Sequence, residues 1–279
     1  EVAYLLNGDY SVINWYQNVD KGEKDKLPTL NSEHYKVYKG ESQYTNDIDK
    51  HIHMYANGVC NVCNKVCIHE KYENGNYGVE EPQLVDDCYE IANYGNLIWF
   101  QRYVDAGNVN INAKLTSNIV ANENLLDSSG NVQGTPKYNW IPIGMVYSKG
   151  SDSYNGVFDG AGYSISGLYA NGTGESWGFF SQVYKCTIKN LSIVDSYFGG
   201  TSCNNVGSFV GCAWNDGNIE NCYSNATIVG KYYCGGIVGQ IKSTVSDCLY
   251  NGKITAKGSS NAIASDTYNY GTIMEVMEN

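Results

Sequence analysis

Four residues between His51 and Cys63 have the types and spacing of a zinc site. The segment reads His51-Ile-His53, then six residues, then Cys60-Asn-Val-Cys63. Two imidazoles and two thiolates are ligands that tetrahedral Zn²⁺ prefers, and a Cys-x-x-Cys turn lets both sulfurs face one ion. Because four protein ligands leave no open position for water, such an ion is structural and not catalytic. We therefore predict a structural zinc ion held by His51, His53, Cys60 and Cys63.

An incomplete copy of this unit follows it. Cys67-Ile-His69 lies 16 residues after His51-Ile-His53, but no second cysteine pair comes after it. Comparison of the two units indicates that His51, His53, Cys60 and Cys63 belong to one site, because only the first unit is complete. Two alternatives stay open: Cys67 forms a disulfide with Cys88 while the Cys-x-x-Cys pair is oxidised or free, or Cys67 or His69 replaces one histidine ligand.

Known catalytic motifs are missing from the sequence. His69-Glu-Lys-Tyr-Glu73 begins like the zincin His-Glu-x-x-His motif but lacks its second histidine. A Gly-x-Ser-x-Gly elbow, a P-loop and a dinucleotide fingerprint are also missing. All four histidines precede residue 70. A Ser-His-Asp or Cys-His site further along the chain would therefore need a histidine from the N-terminal part.

Carboxylates are the remaining candidates for catalysis, as in polysaccharide lyases and hydrolases built on parallel β-helices. The candidates are Asp152, Asp159, Asp195, Asp216 and Asp247. No two of them stand out as a pair. The Phe-Asp-Gly turn explains Asp159 as a cap of backbone amides, and Asp247 aligns with Asn190 and Asn221 in a polar stacking position. The sequence thus predicts a protein that is not an enzyme.

Internal repeats in the C-terminal half would position these residues. Four apolar pairs are spaced three residues apart, at offsets of 23, 31 and 26 residues: Ile165 and Leu168, Ile188 and Leu191, Ile219 and Cys222, Val245 and Cys248. A repeat of ~20–30 residues cannot bury its own apolar face, so the repeats must stack as a solenoid. This pattern predicts an all-β fold, a right-handed parallel β-helix with Ile/Val and Leu/Cys ladders in its core. Cysteines in these ladders act as small hydrophobic residues.

A capping helix is predicted at the start of the solenoid. Asn93 has the type of an N-cap, Leu97, Phe100 and Val104 follow at helical spacing, and Gly107 ends the pattern. An amphipathic helix here would cover the open first coil.

The chain divides into three predicted parts. Residues 1–48 form a short β-rich linking segment, residues 49–84 the small metal- or disulfide-stapled segment, and residues 85–279 the β-helix. Within the β-helix, residues 113–119 read as one strand and residues 122–138 as a loop.

Composition narrows the class of protein. The 279 residues suffice for one large core or two smaller domains. A net charge of -11 argues against nucleic-acid and anionic membrane partners, and no run approaches the ~18 apolar residues that a membrane span needs. The 25 Tyr and 31 Gly are typical of β-rich extracellular proteins. The chain starts at Glu1 without a leader, so we expect a mature form or a piece of a longer protein.

Several motifs recur in a known order: Trp140-Ile-Pro-Ile-Gly144, Tyr154-Asn-Gly-Val-Phe-Asp-Gly160, Ile165-Ser-Gly-Leu168 and Gly235-Gly-Ile-Val-Gly239. Over roughly residues 89–263 the chain resembles the GLUG-repeat proteins, which are exported and often very large bacterial proteins. The resemblance implies a parallel β-helix and a surface location. It implies no single activity, since such repeats occur in adhesin-like proteins and upstream of catalytic domains, including some zinc peptidases. The Cys/His units resemble the zinc-knuckle modules that accompany this family.

We therefore expect a secreted or surface-displayed, non-enzymatic module with an adhesive or architectural role, located outside the cell or on a bacterial surface. Its partner would be a glycan or an extracellular protein, contacted through Tyr- and Asn-rich faces. One alternative is a polysaccharide lyase or hydrolase, which would show carboxylates converging in a groove. The other is a passive spacer in a larger surface protein. The sequence leaves the oligomeric state open.

Overall fold

A computed structural model describes residues 2–7, 15–39, 43–46, 55–56, 59–60, 79–144, 153–214, 217–267, 272–274 and 277–278. The chain forms two compact units, Glu1–Cys67 and Ile68–Asn279. Within the part of the chain that is described, no helix is long and apolar enough to cross a membrane.

The first unit is organised by polar side chains around short elements. These are helix α1 (Val2–Leu6) and strands β1 (Tyr38–Lys39), β2 (Tyr44–Thr45), β3 (Tyr55–Ala56) and β4 (Val59–Cys60), with β1 antiparallel to β2 and β3 antiparallel to β4. The buried amide of Asn46 joins two segments outside these elements: its Oδ1 accepts from the Val19 amide at 2.6 Å and its Nδ2 donates to the Lys36 carbonyl at 2.8 Å. Helix α1 lies within residues 1–48, the segment predicted to be β-rich.

The second unit begins with β5 (Gln83–Val85), β6 (Cys88–Ile91) and helix α2 (Tyr94–Asp105). The side chain of Asn93 accepts a hydrogen bond from the Asn96 amide at 2.9 Å, and Gly107 has a φ of +100° after the helix. Phe100 packs edge-on against Tyr154 and Phe158. The predicted capping helix is therefore confirmed, and its apolar side covers the interior of the solenoid.

Four sheets form the sides of the solenoid. Sheet A contains β5, β6, β7 (Asn112–Leu115), β9 (Val157–Asp159), β13 (Thr187–Lys189), β17 (Asn218–Glu220), β22 (Thr244–Ser246) and β27 (Thr272–Met274). Sheet B contains β8 (Ile119–Val120), β10 (Ser164–Ser166), β14 (Ser192–Val194), β18 (Tyr223–Ser224), β23 (Leu249–Tyr250) and β28 (Met277–Glu278).

Sheets C and D form the remaining sides of the coils that begin with β9, β13, β17 and β22. Sheet C contains β11 (Tyr169–Trp177), β15 (Tyr197–Val206), β19 (Thr227–Gly230), β20 (Tyr233–Gly235), β24 (Lys253–Ala256) and β25 (Ser260–Asn261). Sheet D contains β12 (Phe180–Tyr184), β16 (Val210–Trp214), β21 (Val238–Ile241) and β26 (Ala264–Thr267). Apart from the antiparallel β5–β6 pair, the strand pairs that build these four sheets are parallel. We number the coils by their sheet A strands β7, β9, β13, β17, β22 and β27, from first to sixth.

Inward side chains at equivalent positions form the core. In sheet A, Phe158 pairs with Ile188, Ile188 with Ile219, and Ile219 with Val245. All four are buried. Stacking of this kind buries in the next coil what one coil cannot bury alone. The predicted all-β parallel β-helix is thus confirmed.

The first predicted repeat was placed out of register. Ile165 pairs with Ile193 in sheet B, whereas the partner of Ile188 in the coil before it is Phe158, 30 residues earlier. The predicted offset of 23 residues is therefore wrong. An inward β-branched residue followed by a corner occurs on both sheets, so the spacing alone does not separate them. The strand predicted at residues 113–119 is for the same reason two strands, β7 and β8, on different sheets.

Residues 122–138 form the predicted loop, called here the crossing loop, which lies on the outer side of sheet C. Asn122 closes it, since its Nδ2 donates to the Tyr138 carbonyl at 2.9 Å and its Oδ1 accepts from the Lys137 amide at 2.9 Å. Further along the solenoid axis, Thr227 Oγ1 donates to the Gly130 carbonyl at 2.7 Å, and Lys253 Nζ donates to the loop. The loop therefore connects the first coil with the fourth and fifth.

Candidate binding edge

The corner between sheets A and B is held by a ladder of side chains. Asn190 Nδ2 donates to Asp159 Oδ1 at 2.9 Å, and Asn221 Nδ2 donates to Asn190 Oδ1 at 2.8 Å. Asn190, Asn221 and Asp247 have φ values of 53°, 51° and 51°, a left-handed conformation that Asn and Asp tolerate better than other non-glycine residues. The predicted alignment of Asp247 with Asn190 and Asn221 is confirmed, since Glu220 pairs with Ser246.

Two of the three candidate carboxylates in the described part of the chain hold backbone amides or neighbouring side chains. Asp159 accepts from the Ala161 amide at 2.8 Å, as predicted for its turn, and Asp195 accepts from the amides of Leu125 and Leu126 at 2.8 and 2.7 Å. Asp195 thereby fixes the crossing loop to the third coil. The other two candidates are outside the described residues, namely Asp152 and Asp216.

A row of charges alternating in sign follows the outer face of sheet A. Pairing between neighbouring strands places these residues side by side: Glu90, Lys114, Asp159, Lys189 and Glu220. Lys114 Nζ lies 3.0 Å from Glu90, and Lys189 Nζ lies 3.6 Å from Asp159. The hydrogen bond to Glu90 raises the pKa of Lys114. Two of the three carboxylates in the row are therefore paired with lysines, although each exposed pair contributes little stability.

A second row on the same face carries hydroxyl and amide groups. Thr187, Asn218 and Thr244 stand next to one another in the third, fourth and fifth coils, after the apolar Val157 in the second coil. Asn218 is exposed, and the two threonines are half-buried. Because neighbouring strands are ~4.8 Å apart, the row presents hydrogen-bonding groups at regular intervals along the solenoid axis.

An aromatic row lies just around the corner, on sheet D. Tyr184 pairs with Trp214 in the next coil, and both are half-buried. Lys185 Nζ lies 5.7 Å from the centre of the Tyr184 ring, and Lys242 Nζ lies 5.1 Å from the centre of the Trp214 ring. These cation–π contacts restrain the two rings on the surface.

We call the corner between sheets D and A the binding edge. It consists of the aromatic row and the hydroxyl and amide groups that follow it in the chain, namely Tyr184, Trp214, Thr187, Asn218 and Thr244. The interior beside it is filled by aromatic stacks, in which Trp140 lies against Phe179 and Tyr154 against Phe180. A ligand at this level of the solenoid must therefore bind on the outer surface.

The predicted zinc ligands lie outside what the structure describes. His51, His53 and Cys63 are not among the described residues, and for Cys60 only its place in β4 is known. Among the side chains that are described, no three His, Cys, Asp or Glu groups come together to hold a metal. Cys88 is a half-buried thiol. The zinc site stays a prediction.

Comparison with known proteins agrees with this architecture. The GLUG motif matches residues 202–229, which run from β15 to β19 and so span about one coil. No curated protein matches the chain. A solved structure from Bacteroides ovatus, described as a "putative immunoglobulin A1 protease", has a TM-score of 0.51 and 18% sequence identity, and the match covers 72% of this chain. The chain spans 60% of the length of that structure. The protein is thus a parallel β-helix that carries a GLUG repeat.

The comparison also corrects one expectation. The missing catalytic motifs led us to predict that the chain is not an enzyme. A protein of the same fold is named as a protease, so that prediction is wrong as a conclusion from this architecture. The inference failed because a solenoid fold does not determine activity, which depends on the site that it carries.

Proposed function

We propose that this chain is a binding module of a secreted or surface-displayed protein and that it holds an extended neutral glycan along the binding edge. The observation that carries the proposal is the aromatic row on sheet D directly beside the hydroxyl and amide row on sheet A. Aromatic rings offer apolar contact area with a polar rim, and hydroxyl and amide groups hydrogen-bond sugar hydroxyls. Both rows run parallel to the solenoid axis, which suits a linear polymer.

Electrostatics favour a neutral glycan over an acidic one. The lysines at positions 114 and 189 lie beside Glu90 and Asp159, and Lys185 and Lys242 lie over aromatic rings. The chain as a whole carries a net charge of -11, which repels polyanions. A location outside the cell or on a bacterial surface fits the Tyr- and Gly-rich composition. The proposed structural zinc would stabilise a segment too small to bury a core of its own.

Binding of defined oligosaccharides tests this proposal. Neutral and acidic glycans would be screened on an array, and hits measured by titration calorimetry with the full chain. We expect neutral oligosaccharides to bind and the Trp214→Ala variant to lose at least tenfold in affinity. Tyr163→Ala is the matched control, since Tyr163 is exposed but lies at the corner between sheets A and B. Equal losses in both variants, or a preference for acidic glycans, would contradict the proposal.

A second candidate follows from the fold comparison. The solenoid would be part of a protease directed at immunoglobulin A1, and the match that covers 72% of this chain supports this. Incubation of the chain with purified immunoglobulin A1, followed by gel electrophoresis, tests it. Discrete antibody fragments that metal chelators or protease inhibitors suppress would favour the second candidate. An intact antibody would speak against a protease activity of this chain by itself.

A further inference from the structure

Two cysteines occupy the same position in consecutive coils. Cys222 lies in the fourth coil and Cys248 in the fifth, each directly before its sheet B strand. The pairings on both sides fix their alignment: Glu220 pairs with Ser246, and Tyr223 pairs with Leu249. The backbone also joins them, since the Leu249 amide donates to the Cys222 carbonyl at 2.9 Å. The two side chains are therefore direct neighbours along the solenoid axis.

The two thiols point the same way and contact each other. Cys222 Sγ donates to the Glu220 carbonyl at 3.3 Å, and Cys248 Sγ donates to the Ser246 carbonyl at 3.1 Å. Cys248 Sγ also lies 3.6 Å from the Ile219 carbonyl, in the coil that carries Cys222. The neighbouring Cys222 side chain lowers the pKa of Cys248, while burial raises the pKa of Cys222. Both side chains are almost completely buried.

This arrangement fits the geometry of a disulfide. Neighbouring parallel strands are ~4.8 Å apart, which falls within the range of about 4.4–6.8 Å between the Cα atoms of bonded cysteines. We propose that Cys222 and Cys248 form a disulfide that joins the fourth coil to the fifth when the protein folds in an oxidising medium. Their pairing would tie together two coils that otherwise contact each other through hydrogen bonds and packing alone.

The oxidant we invoke is a small-molecule disulfide such as oxidised glutathione. One protein thiolate attacks it, which forms a mixed disulfide and releases one glutathione thiol. The second protein thiolate then attacks the mixed disulfide at the protein sulfur and releases the other glutathione. Two protein thiols are oxidised, one glutathione disulfide is reduced, and the protons pass to the two departing thiolates. Because the folded pair is buried, the first attack takes place before the fifth coil stacks on the fourth.

Peptide mapping tests the proposal on the unmodified chain. The protein is folded with oxidised and reduced glutathione, the remaining thiols are alkylated in denaturant, and the digest is analysed by mass spectrometry without reduction. We expect a linked peptide containing Cys222 and Cys248, and a melting temperature about 5–10 °C above that of the reduced protein. Recovery of both cysteines as alkylated thiols from natively folded protein, or their linkage to other cysteines, would overturn the proposal.

Matched variants separate the bond from general effects of oxidation. Cys222→Val should remove both the linked peptide and the difference in melting temperature between oxidised and reduced protein. Cys186→Val should keep both, because the equivalent positions in the next coils are Gly217 and Ser243 and offer no sulfur. If Cys222→Val does not fold, the linked peptide of the unmodified chain alone decides. A temperature difference that survives in a folded Cys222→Val variant would also contradict the proposal.

Discussion

Asn190 of the third coil donates to Asp159 of the second coil at 2.9 Å. The same amide accepts from Asn221 of the fourth coil, so one side chain joins three coils at the corner between sheets A and B. Its backbone is left-handed, with a φ of 53°. Register between coils and the direction of the turn therefore depend on the same residue.

Replacement of Asn190 by alanine should destabilise the solenoid by about 3–4 kcal/mol. The alanine loses two hydrogen bonds, worth about 1 kcal/mol each at most positions. It must also adopt the left-handed backbone conformation, which costs residues other than glycine and asparagine about 1–2 kcal/mol. Asn190→Gly loses the hydrogen bonds alone and should cost less. Urea unfolding monitored by circular dichroism measures both. Equal losses for the two variants would show that the left-handed backbone carries no cost here.

Removal of the Asp195 carboxylate should release the crossing loop. Asp195→Ala leaves the amides of Leu125 and Leu126 without their acceptor, whereas Asp195→Asn keeps one carbonyl oxygen. We expect faster amide exchange and faster proteolysis at residues 127–134 in the alanine variant, and an intermediate effect in the asparagine variant. Hydrogen exchange with mass spectrometry provides the measurement. Unchanged protection of this loop would mean that Asn122 and Thr227 suffice to hold it.

The first unit should lose protection in acid through Asp25. The Asn18 amide donates to Asp25 Oδ2 at 2.7 Å, and this bond, followed by the one from His34, lowers the pKa of Asp25 below its usual 3.8. Because the folded pKa is lowered, the stabilisation is complete above the unfolded pKa and is lost as the pH falls through the folded value.

Hydrogen exchange of residues 15–39 between pH 6 and pH 2.5, corrected for the intrinsic rate at each pH, measures this loss. We expect the protection of the native chain to decline below about pH 4. In Asp25→Asn the protection should be lower at pH 6 and should depend less on pH. An identical acid response in both proteins would assign the effect to other carboxylates.

The predicted zinc site calls for elemental analysis of protein purified without chelator. We expect about one zinc ion per chain, and its loss in a Cys60→Ser, Cys63→Ser double variant, because two thiolates contribute most to the affinity of such a site. Cys88→Ser is a suitable control for the general loss of a thiol. No zinc in the native chain, with both cysteines oxidised, would contradict the prediction and leave a disulfide-linked segment.

The sequence was sufficient to predict the elements that depend on nearby residues in the chain. Asn93 before Leu97 and Phe100 predicted helix α2, and Ile188, Ile219 and Val245 predicted one core ladder with the correct alignment. Both predictions were correct because helix capping and burial each restrict the type of residue at a position. The alignment of Ile165 with Ile188 was wrong because strands of sheets A and B both carry an inward β-branched residue before a corner.

The binding edge was missed because its residues share a position and not a type. Tyr184 and Trp214 pair at the ends of their sheet D strands, yet one is a phenol and the other an indole, and the equivalent position in the next coil is Lys242. The alternating charges had a readable signal, since each of Lys114, Asp159, Lys189 and Glu220 directly follows an inward apolar residue. An alignment in the correct register would have shown it.

The crossing loop has a consequence for the order in which the chain folds. Lys253 donates to the Ser129 carbonyl at 3.1 Å, although 124 residues separate them in the chain. Coils can add one at a time by contacting only their neighbours, but this contact must wait until the fifth coil has formed. Closing so long a segment is entropically costly and slow. The contacts of the loop with Thr227 and Lys253 thus form late, and they join the first coil to the last coils that are added.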